Sequence, residues 1–367
     1  MRLVLSAVAA VAAGVVVAAA IAPAASAQGV SRYQQRAAPA SNLIAPARMA
    51  RSTRAAAQSP ADLAHKERIN SWTVGLAAGR IEGAPLLFAS ELARVLDDGD
   101  NMRVLPIVTR GPFDNVYDLL YLRGVDAAIV YGDVLDHFKK QSASADSWRK
   151  IAYLLSLFPS EAHIFARPEI KSVQDLSGKT VNFNTPGTAA NFSGPIIFKQ
   201  LGIEVKATFM PHTVAMEKMR QSEEVAATFW ISSKPLPQFL KGKWPEGFKF
   251  LPIEYSDRLE YYTPAYLDHS DYPALIPAGQ QVATISVPAV LAVYDWPVNT
   301  ERYNRLVRLV DYLFDRFARL QKDPGYHEKW KDVNLAATVP SWTRFKPLQD
   351  KLDRALPATP RINASTR

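Results

Sequence analysis

Two rhythms of apolar residues alternate along this chain. Short runs with a period of two predict strands, and longer stretches with a period of three to four predict helices. Trp72, Val74 and Leu76 alternate and stop at Ala77-Ala78-Gly79-Arg80-Ile81-Glu82-Gly83. A helix follows with Leu86, Leu87, Leu92 and Leu96 on one face, closed by Asp97 to Asp100. Arg103 to Val108 is the next strand and Thr109-Arg110-Gly111-Pro112 the next turn. Pro112 suits a first helical position, where no N–H is needed. That helix runs through Leu119 to Leu122, and Gly124 stops it. Asp126 to Tyr131 reads as a strand buried on both faces, with Gly132 and Asp133 opening a loop and helix. Strand–loop–helix units of this length imply parallel strands joined by helical crossovers.

Ile151 to Phe158 and Ala162 to Ala166 read as a strand and a crossover, with Pro168 and Glu169 closing a first lobe. The alternation then repeats. Ser172 and Asp175 have capping-box spacing, Gly178 is a helix stop, and Lys179 to Phe183 is a strand. Asn184 to Thr188 are turn or cap residues before an apolar helix interrupted by Pro195. Strands follow near Val205 to Met210, Val225 to Ile231 and Phe248 to Ile253, with helices at Val214 to Gln221 and Pro237 to Leu240. Thr284 to Tyr294 is long and apolar enough to carry the chain back to the first lobe. Asn299 to Leu320 is amphipathic, with Leu306, Leu309, Leu313, Phe314 and Phe317 at helical spacing. The expected architecture is α/β with two lobes, each a mostly parallel sheet flanked by helices, and a hinged cleft between them. Residues 69–166 plus 284–348 form lobe 1, residues 167–283 form lobe 2 with the hinge return, and residues 349–367 form a loose tail. In open parallel sheets, ligands bind outside the carboxyl ends of the strands.

Composition narrows the class. The 367 residues include no cysteine, so no disulfide staples the fold. Met1 and Arg2 precede an apolar run from Leu3 to Ala22, and Ala25-Ser26-Ala27 is a small-x-small cleavage pattern. Residues 1–27 therefore read as a signal peptide cleaved before Gln28, which implies a periplasmic protein. The formal charge of +8 is not a nucleic-acid signature. Arg2 carries +1, and residues 28–68, with seven basic and two acidic side chains, carry +5; the rest of the chain carries only +2. The segment 28–68 is rich in Ala, Ser, Gln and Pro, cannot build a core, and reads as a disordered tether. The histidines show no metal-ligand spacing, and no nucleophile elbow, Walker loop or dinucleotide fingerprint occurs, so no metal, cofactor or catalytic residue is expected.

The loops GLAAGRIEGAPLLFASELARVL and VTRGPFDNVYDLLYLRGVDAAIVYGDV, the crossover LFPSEAHIFARPEIKSVQDLSGKTVNFNTPGTAANF, and the later LPIEYSDRLEYY and IPAGQQVATISVPAVLAVY carry a resemblance. In order and spacing, from about Trp72 to Leu320, they resemble the TAXI-type solute receptors of TRAP transporter systems. The resemblance implies a type II periplasmic-binding-protein architecture, capture of a small organic anion such as a carboxylate or amino acid, and delivery to a membrane permease. A monomer is expected. The first loop departs from the family in carrying Arg80 and Glu82 where Gly, Ser and Thr are usual, and the second-lobe loop reads Pro-Gly-Thr-Ala in place of Gly-Ser-Gly. A glutamate ligand therefore does not transfer.

Candidate site residues fall in the loops after the strands. Arg80, beside Gly79, reads either as a bidentate carboxylate clamp or as a solvated arginine paired with Glu82. Thr109, Arg110 and the Gly111 N–H suit a carboxylate, with helix capping by Thr109 as the plainer reading. Tyr131 and Asp133 flank Gly132; Asp133 suits a ligand amine, an arginine partner or a helix cap equally. Thr185, Gly187, Thr188 and Asn191 supply donors at a helix N-terminus, which favours an anion. Trp230, Ser232 and Lys234 end a strand, with Trp230 either covering the ligand's apolar part or filling the core. An ABC permease or a sensor kinase would serve equally as acceptor. An enzyme on the same fold would need an acid–base pair, and Asp133 with Tyr131 is the best on offer.

Overall fold

A computed structural model describes residues 59–81, 83–141, 145–241, 244–259 and 261–355. The segments expected to be a signal peptide and a leader, up to Gln58, together with Glu82, residues 142–144, 242–243 and 260 and the last twelve residues, lie outside the described residues.

The first described element is helix α1 (Pro60–Ser71), over the end of the segment expected to be a loose leader. Ser59 and Asp62 form a reciprocal capping box and Pro60 takes the first turn, yet no residue of α1 is buried. Local capping alone therefore marks this helix, which is why the apolar pattern did not reveal it.

Strand β1 (Thr73–Gly79), helix α2 (Ala84–Leu96), β2 (Arg103–Val108), α3 (Pro112–Tyr121), β3 (Ala127–Tyr131) and α4 (Gly132–Gln141) follow. β1 pairs in parallel with β2 and β3, as the alternation requires. The buried face of α2 is Phe88, Ala89, Leu92, Val95 and Leu96; Leu87, expected inward, is 44% exposed. After the short helix α5 (Ala145–Trp148) comes β4 (Ile151–Ala166), one continuous strand where two pieces were expected. The polar triplet Pro159-Ser160-Glu161 breaks the apolar run in sequence but not the strand. β5 (Thr180–Asn182), α6 (Ala189–Gln200), β6 (Lys206–Thr208), α7 (His212–Gln221), β7 (Ala227–Ser232), α8 (Pro237–Lys241) and β8 (Lys249–Leu251) repeat the alternation. The expected helix before β5 is one 3₁₀ turn, Gln174–Leu176; Asp175 Oδ2 accepts from the Lys171 and Ser172 amides at 2.9 Å. Then β9 (Thr263–Asp268), β10 (Gln281–Tyr294), α9 (Glu301–Lys322) and α10 (Lys346–Ala355) complete the order. α10 occupies part of the tail expected to be loose, and buries Leu348 and Leu352.

The sheet order is β2-β1-β3-β10-β4-β7-β5-β6, with β8 on β4 and β9 on β10. It contains two similar parallel groups. β2, β1 and β3 adjoin β10 running antiparallel, and β6, β5 and β7 adjoin β4 running antiparallel. The long strands β4 and β10 pair with each other and join the groups. The result is α/β with two lobes, each a parallel group flanked by helices, as the alternation in the sequence predicts. The main core includes α9, which turns Leu306, Leu309, Val310, Leu313, Phe317 and Leu320 inward. There Phe88 packs its ring 4.4 Å from Phe158 and 4.6 Å from Trp330. A smaller cluster around Phe165, Phe239, Phe250 and Tyr272 lies on the other side of β4 and β7.

Gly75 fixes how closely the β3 approach packs on β1. A Cβ there would lie 1.7 Å from the Gly124 carbonyl oxygen, and the Asp126 amide donates to the Gly75 carbonyl at 2.9 Å. The obstacle is backbone, which cannot rotate away. Gly75→Ala is expected to cost about 3 kcal/mol or more and to lower Tm by at least about 5 °C. An unchanged melting curve would show that the Gly124 turn yields freely.

Candidate functional site

A cavity of about 260 Å³ lies where all six strand-to-helix turns of the two parallel groups meet. From the first group come Gly79, Arg80, Gly83 and Pro85 after β1, then Arg110, Gly111 and Pro112 after β2, and Tyr131 at the end of β3. From the second come Asn184, Thr188, Ala189 and Ala190 after β5, then Pro211, His212 and Thr213 after β6, and Trp230, Ile231 and Ser232 at the end of β7 with Leu236 and Gln238 after it. Within each group the parallel pairing points the carboxyl ends the same way, and the three antiparallel pairings between the groups, β3–β10, β10–β4 and β4–β7, set the two groups running in opposite directions, so their turns face each other.

The helix starts give this cavity its polarity. α2 has Pro85 and α3 has Pro112 in the first turn, positions that carry no N–H. Those two ends therefore present apolar rings. α6 begins with Ala189 and Ala190 after the Thr188 cap, and α7 begins with His212 and Thr213 after Pro211. The first amides of a helix have no intrahelical acceptor and lie at its positive pole. Two such poles thus come from one lobe.

Arg80 faces them from the other lobe. Its Nη1 donates across the cleft to Thr185 Oγ1 at 3.1 Å, and its charge is felt at His212. Arg110 is different. Its Nε sits 2.6 Å from Asp114 Oδ2, one turn along α3, so its charge is already paired. Gly111 touches the opposite turn: a Cβ there would lie 2.4 Å from the Gly187 carbonyl oxygen. The lobes also meet through Phe113 and Phe192, stacked at 5.1 Å.

Of the residues picked from sequence, Gly79, Arg80, Arg110, Gly111, Tyr131, Thr188, Trp230 and Ser232 line the cavity. Thr109, Asp133, Thr185, Gly187, Asn191 and Lys234 do not. The Thr109 hydroxyl donates to Asn115 Oδ1, and the cap of α3 is Gly111. Asn115, fully buried, in turn donates to the carbonyls of Ala78 at 2.8 Å and Ile129 at 2.7 Å, tying the ends of β1, β2 and β3 together. Thr188 lines the cavity but its hydroxyl is spent on the cap, accepting from the Asn191 amide and donating to the Thr185 carbonyl. Lys234 pairs with Asp271 at 2.6 Å.

Asp133 takes no ligand role in this geometry. It is 4% exposed, and its Oδ2 accepts from Ser193 Oγ at 2.5 Å and Tyr262 OH at 2.9 Å. It bridges α4 to α6 across the lobes. Burial pushes its carboxyl above the usual range, against the pull of those hydrogen bonds.

His212 was missed, having no sequence partner at metal or triad spacing. It stacks on Trp230 with ring centroids 3.5 Å apart and planes at 11°. Its Nδ1 lies 2.8 Å from Thr228 Oγ1. Burial, with Arg80 adding to it, holds the imidazole down to about 3, so it is neutral. Finding it needed the start of α7 two residues earlier than the apolar pattern placed it. Asn184 was missed as a lining residue too; its positive φ of 61° and its side-chain contact to the Thr185 amide at 2.8 Å shape the turn. Among the described residues no group of three His, Asp or Glu is placed to hold a metal ion.

No family model matches the chain. Solved structures with similar outlines include the effector-binding domain of a BenM variant, at 13% identity and TM-score 0.39 over 66% of this chain and 95% of that one. An ancestral arginine-binding protein bound to arginine matches at 17% identity and TM-score 0.38 over 66% and 93%. The alkanesulfonate-binding protein SsuA from Xanthomonas axonopodis pv. citri bound to MOPS matches at 11% and 0.41 over 69% and 75%. With identities this low and TM-scores under 0.5, the chemistry of the site rests on its own geometry.

The Asp133 bridge makes a pH prediction. A carboxyl whose native pKa is raised stabilises the fold fully at pH below its unfolded value, and that contribution is lost as pH rises through the native value. Asp133→Asn keeps a neutral acceptor for Ser193 and Tyr262 without a charge to bury. Wild-type Tm minus variant Tm is therefore expected to become more negative between about pH 4 and about pH 8. Parallel melting profiles would show that Asp133 carries no raised pKa.

Proposed function

We propose that this protein is a solute receptor that captures a small organic anion between its lobes. The observation that supports this best is the convergence on one cavity of two helix N-termini and Arg80, which pairs with no carboxylate among the described residues. Oriented amides and a guanidinium are what an anion needs when it leaves water. Closure of the cleft around the ligand follows from contacts made to both lobes at once. The receptor function is non-enzymic: the neutral His212 has its Nδ1 committed to Thr228, and the Thr188 hydroxyl is committed to a helix cap.

The finer reading is a TAXI-type receptor, exported by the signal peptide of residues 1–27 to the periplasm and serving a TRAP-type permease. The order and spacing of the loops from Trp72 to Leu320 support it. A small-molecule ligand and permease subunits are then its partners.

A thermal-shift screen of organic acids, amino acids, phosphonates and sulfonates tests the reading, because a ligand that binds only the folded state raises Tm. One anion class is expected to give a strong shift; flat curves throughout would sink it. Arg80→Ala is expected to weaken the best anion by about 1.5–3 kcal/mol, the worth of a charge-assisted contact, and unchanged affinity would remove Arg80 from the site. Gly111→Ala places a methyl group against Gly187 across the cleft. It is expected to weaken binding by about tenfold or more through a closed state that no longer fits; tight binding by this variant would show that the observed approach of the lobes is not the ligand-holding one.

A further inference from the structure

The cavity carries more information than its charge. Resting on the receptor reading, we propose that its ligand is a compact organic anion without an ammonium group, whose body lies on the stacked His212–Trp230 pair and which accepts a hydrogen bond from His212 Nε2. The acid group is met by the starts of α6 and α7 beside Arg80.

Three observations carry this. The first is the tautomer of His212. The Met210 amide donates to Asn182 Oδ1 at 3.0 Å, which turns the Asn182 NH₂ toward His212 Nδ1 at 3.4 Å. The Thr228 hydroxyl lies 2.8 Å from the same nitrogen. The other acceptors open to these two donors lie farther off, the Asn182 carbonyl at 3.5 Å from the Thr228 hydroxyl and that hydroxyl at 3.5 Å from the Asn182 NH₂; Nδ1 is the nearer acceptor for both, and in a neutral imidazole the proton then sits on Nε2. Among the described residues no protein group accepts from Nε2, and His212 lines the cavity.

The second is Trp230. It is only 8% exposed, lines the cavity and stacks on His212, so its ring is an apolar surface for the ligand's body. Pro85, Pro112, Pro211, Ile231 and Leu236 make the rest of the wall apolar.

The third is what the wall lacks. Among the described lining residues there is no carboxylate. Asp114 is outside the lining and sits on Arg110. An α-ammonium group would face two helix N-termini and Arg80, all of its own sign, with only neutral oxygens to replace its water. Burying an unpaired ammonium is strongly unfavourable. The site therefore discriminates against amino acids and favours their des-amino counterparts.

The test is calorimetric titration of the full chain with matched pairs: 3-phenylpropanoate against phenylalanine, 4-methylpentanoate against leucine, glutarate against glutamate. In every pair that binds, the acid is expected to bind at least about 100-fold tighter. An amino acid that binds as tightly as its partner overturns this proposal and leaves the receptor reading intact. Silence from both members of every pair and from all other anions overturns both. Glu82, in the β1–α2 turn, is outside the described residues; Glu82→Gln is expected to leave the ratios unchanged, and an amino-acid preference that this variant abolishes also overturns the proposal. His212→Gln retains a donor, whereas His212→Phe keeps a stacking ring and removes it. The acid is expected to lose about threefold or less with the first and tenfold or more with the second; equal losses in two variants with wild-type Tm overturn the donor role. Trp230→Ala, which removes the ring beneath the ligand, is expected to weaken the acid about tenfold or more, and wild-type affinity in a variant with wild-type Tm would overturn the Trp230 contact.

Discussion

β4 and β10 belong to both lobes, and their register sets what the rest of the molecule can do. Pro288 lies opposite Pro159, between the pairs Ser286–Glu161 and Val290–Ser156, with a register irregularity after Pro288. Neither proline has an N–H, so the ladder has no donor from either strand at that level. To one side, β10 pairs with β3 and β4 through Val290 to Val293; to the other, β4 pairs with β7 and β8, and β10 with β9. Each lobe is firmly laddered, and the link between them is weakest in the middle. Gly132 sits against this point, where a Cβ would be 3.3 Å from Pro288. The chain thus turns from β3 into α4 directly over the crossing.

A weak link gives weight to the contacts across the cleft. Arg80 to Thr185, Ser193 to Asp133, the Phe113–Phe192 stack and the Gly111–Gly187 approach all hold the lobes together. The Asp133 bridge is deeply buried and polar, and Tyr262 adds a third member from the segment leading into β9. Such a bridge fixes orientation more than it adds stability, since burying the carboxylate offsets its hydrogen bonds. A ligand biases such an arrangement only by its differential contacts with open and closed forms. The cavity supplies these, because both lobes contribute to its walls.

Much of this was legible in the pattern of the chain. The strand–turn–helix alternation gave the parallel groups, and Pro112 fell at the start of α3 as its missing N–H requires. Loop position alone found Arg80, Gly111 and Tyr131, because turns after parallel strands converge by geometry. What stayed hidden depends on distant partners. Thr109 resembled a cap until Asn115 was seen to take its hydroxyl. Asp133 resembled a ligand group until Ser193 and Tyr262, 60 and 129 residues away, filled its oxygens. His212 carried no local signature, because its role comes from Asn182, Thr228 and Trp230, each on another strand or turn. β4 was read as two pieces because a polar triplet inside a sheet looks like a loop unless its neighbours are known.

Arg80 and Arg110 show how little separates two like residues. Both follow a strand in lobe 1, both line the cavity, and both were expected to clamp a carboxylate. Arg110 has an aspartate four residues on, on the same face of α3, and the pair closes at 2.6 Å. Arg80 precedes a helix that opens with Ala84-Pro85-Leu86-Leu87, with no acidic residue in its first turn. It reaches instead to a hydroxyl on the other lobe. A hydroxyl does not compensate the guanidinium's charge, and among the described residues it is the one side-chain partner Arg80 has. The cavity's positive charge is therefore set by one side chain and two helix ends, and it is concentrated where the lobes meet.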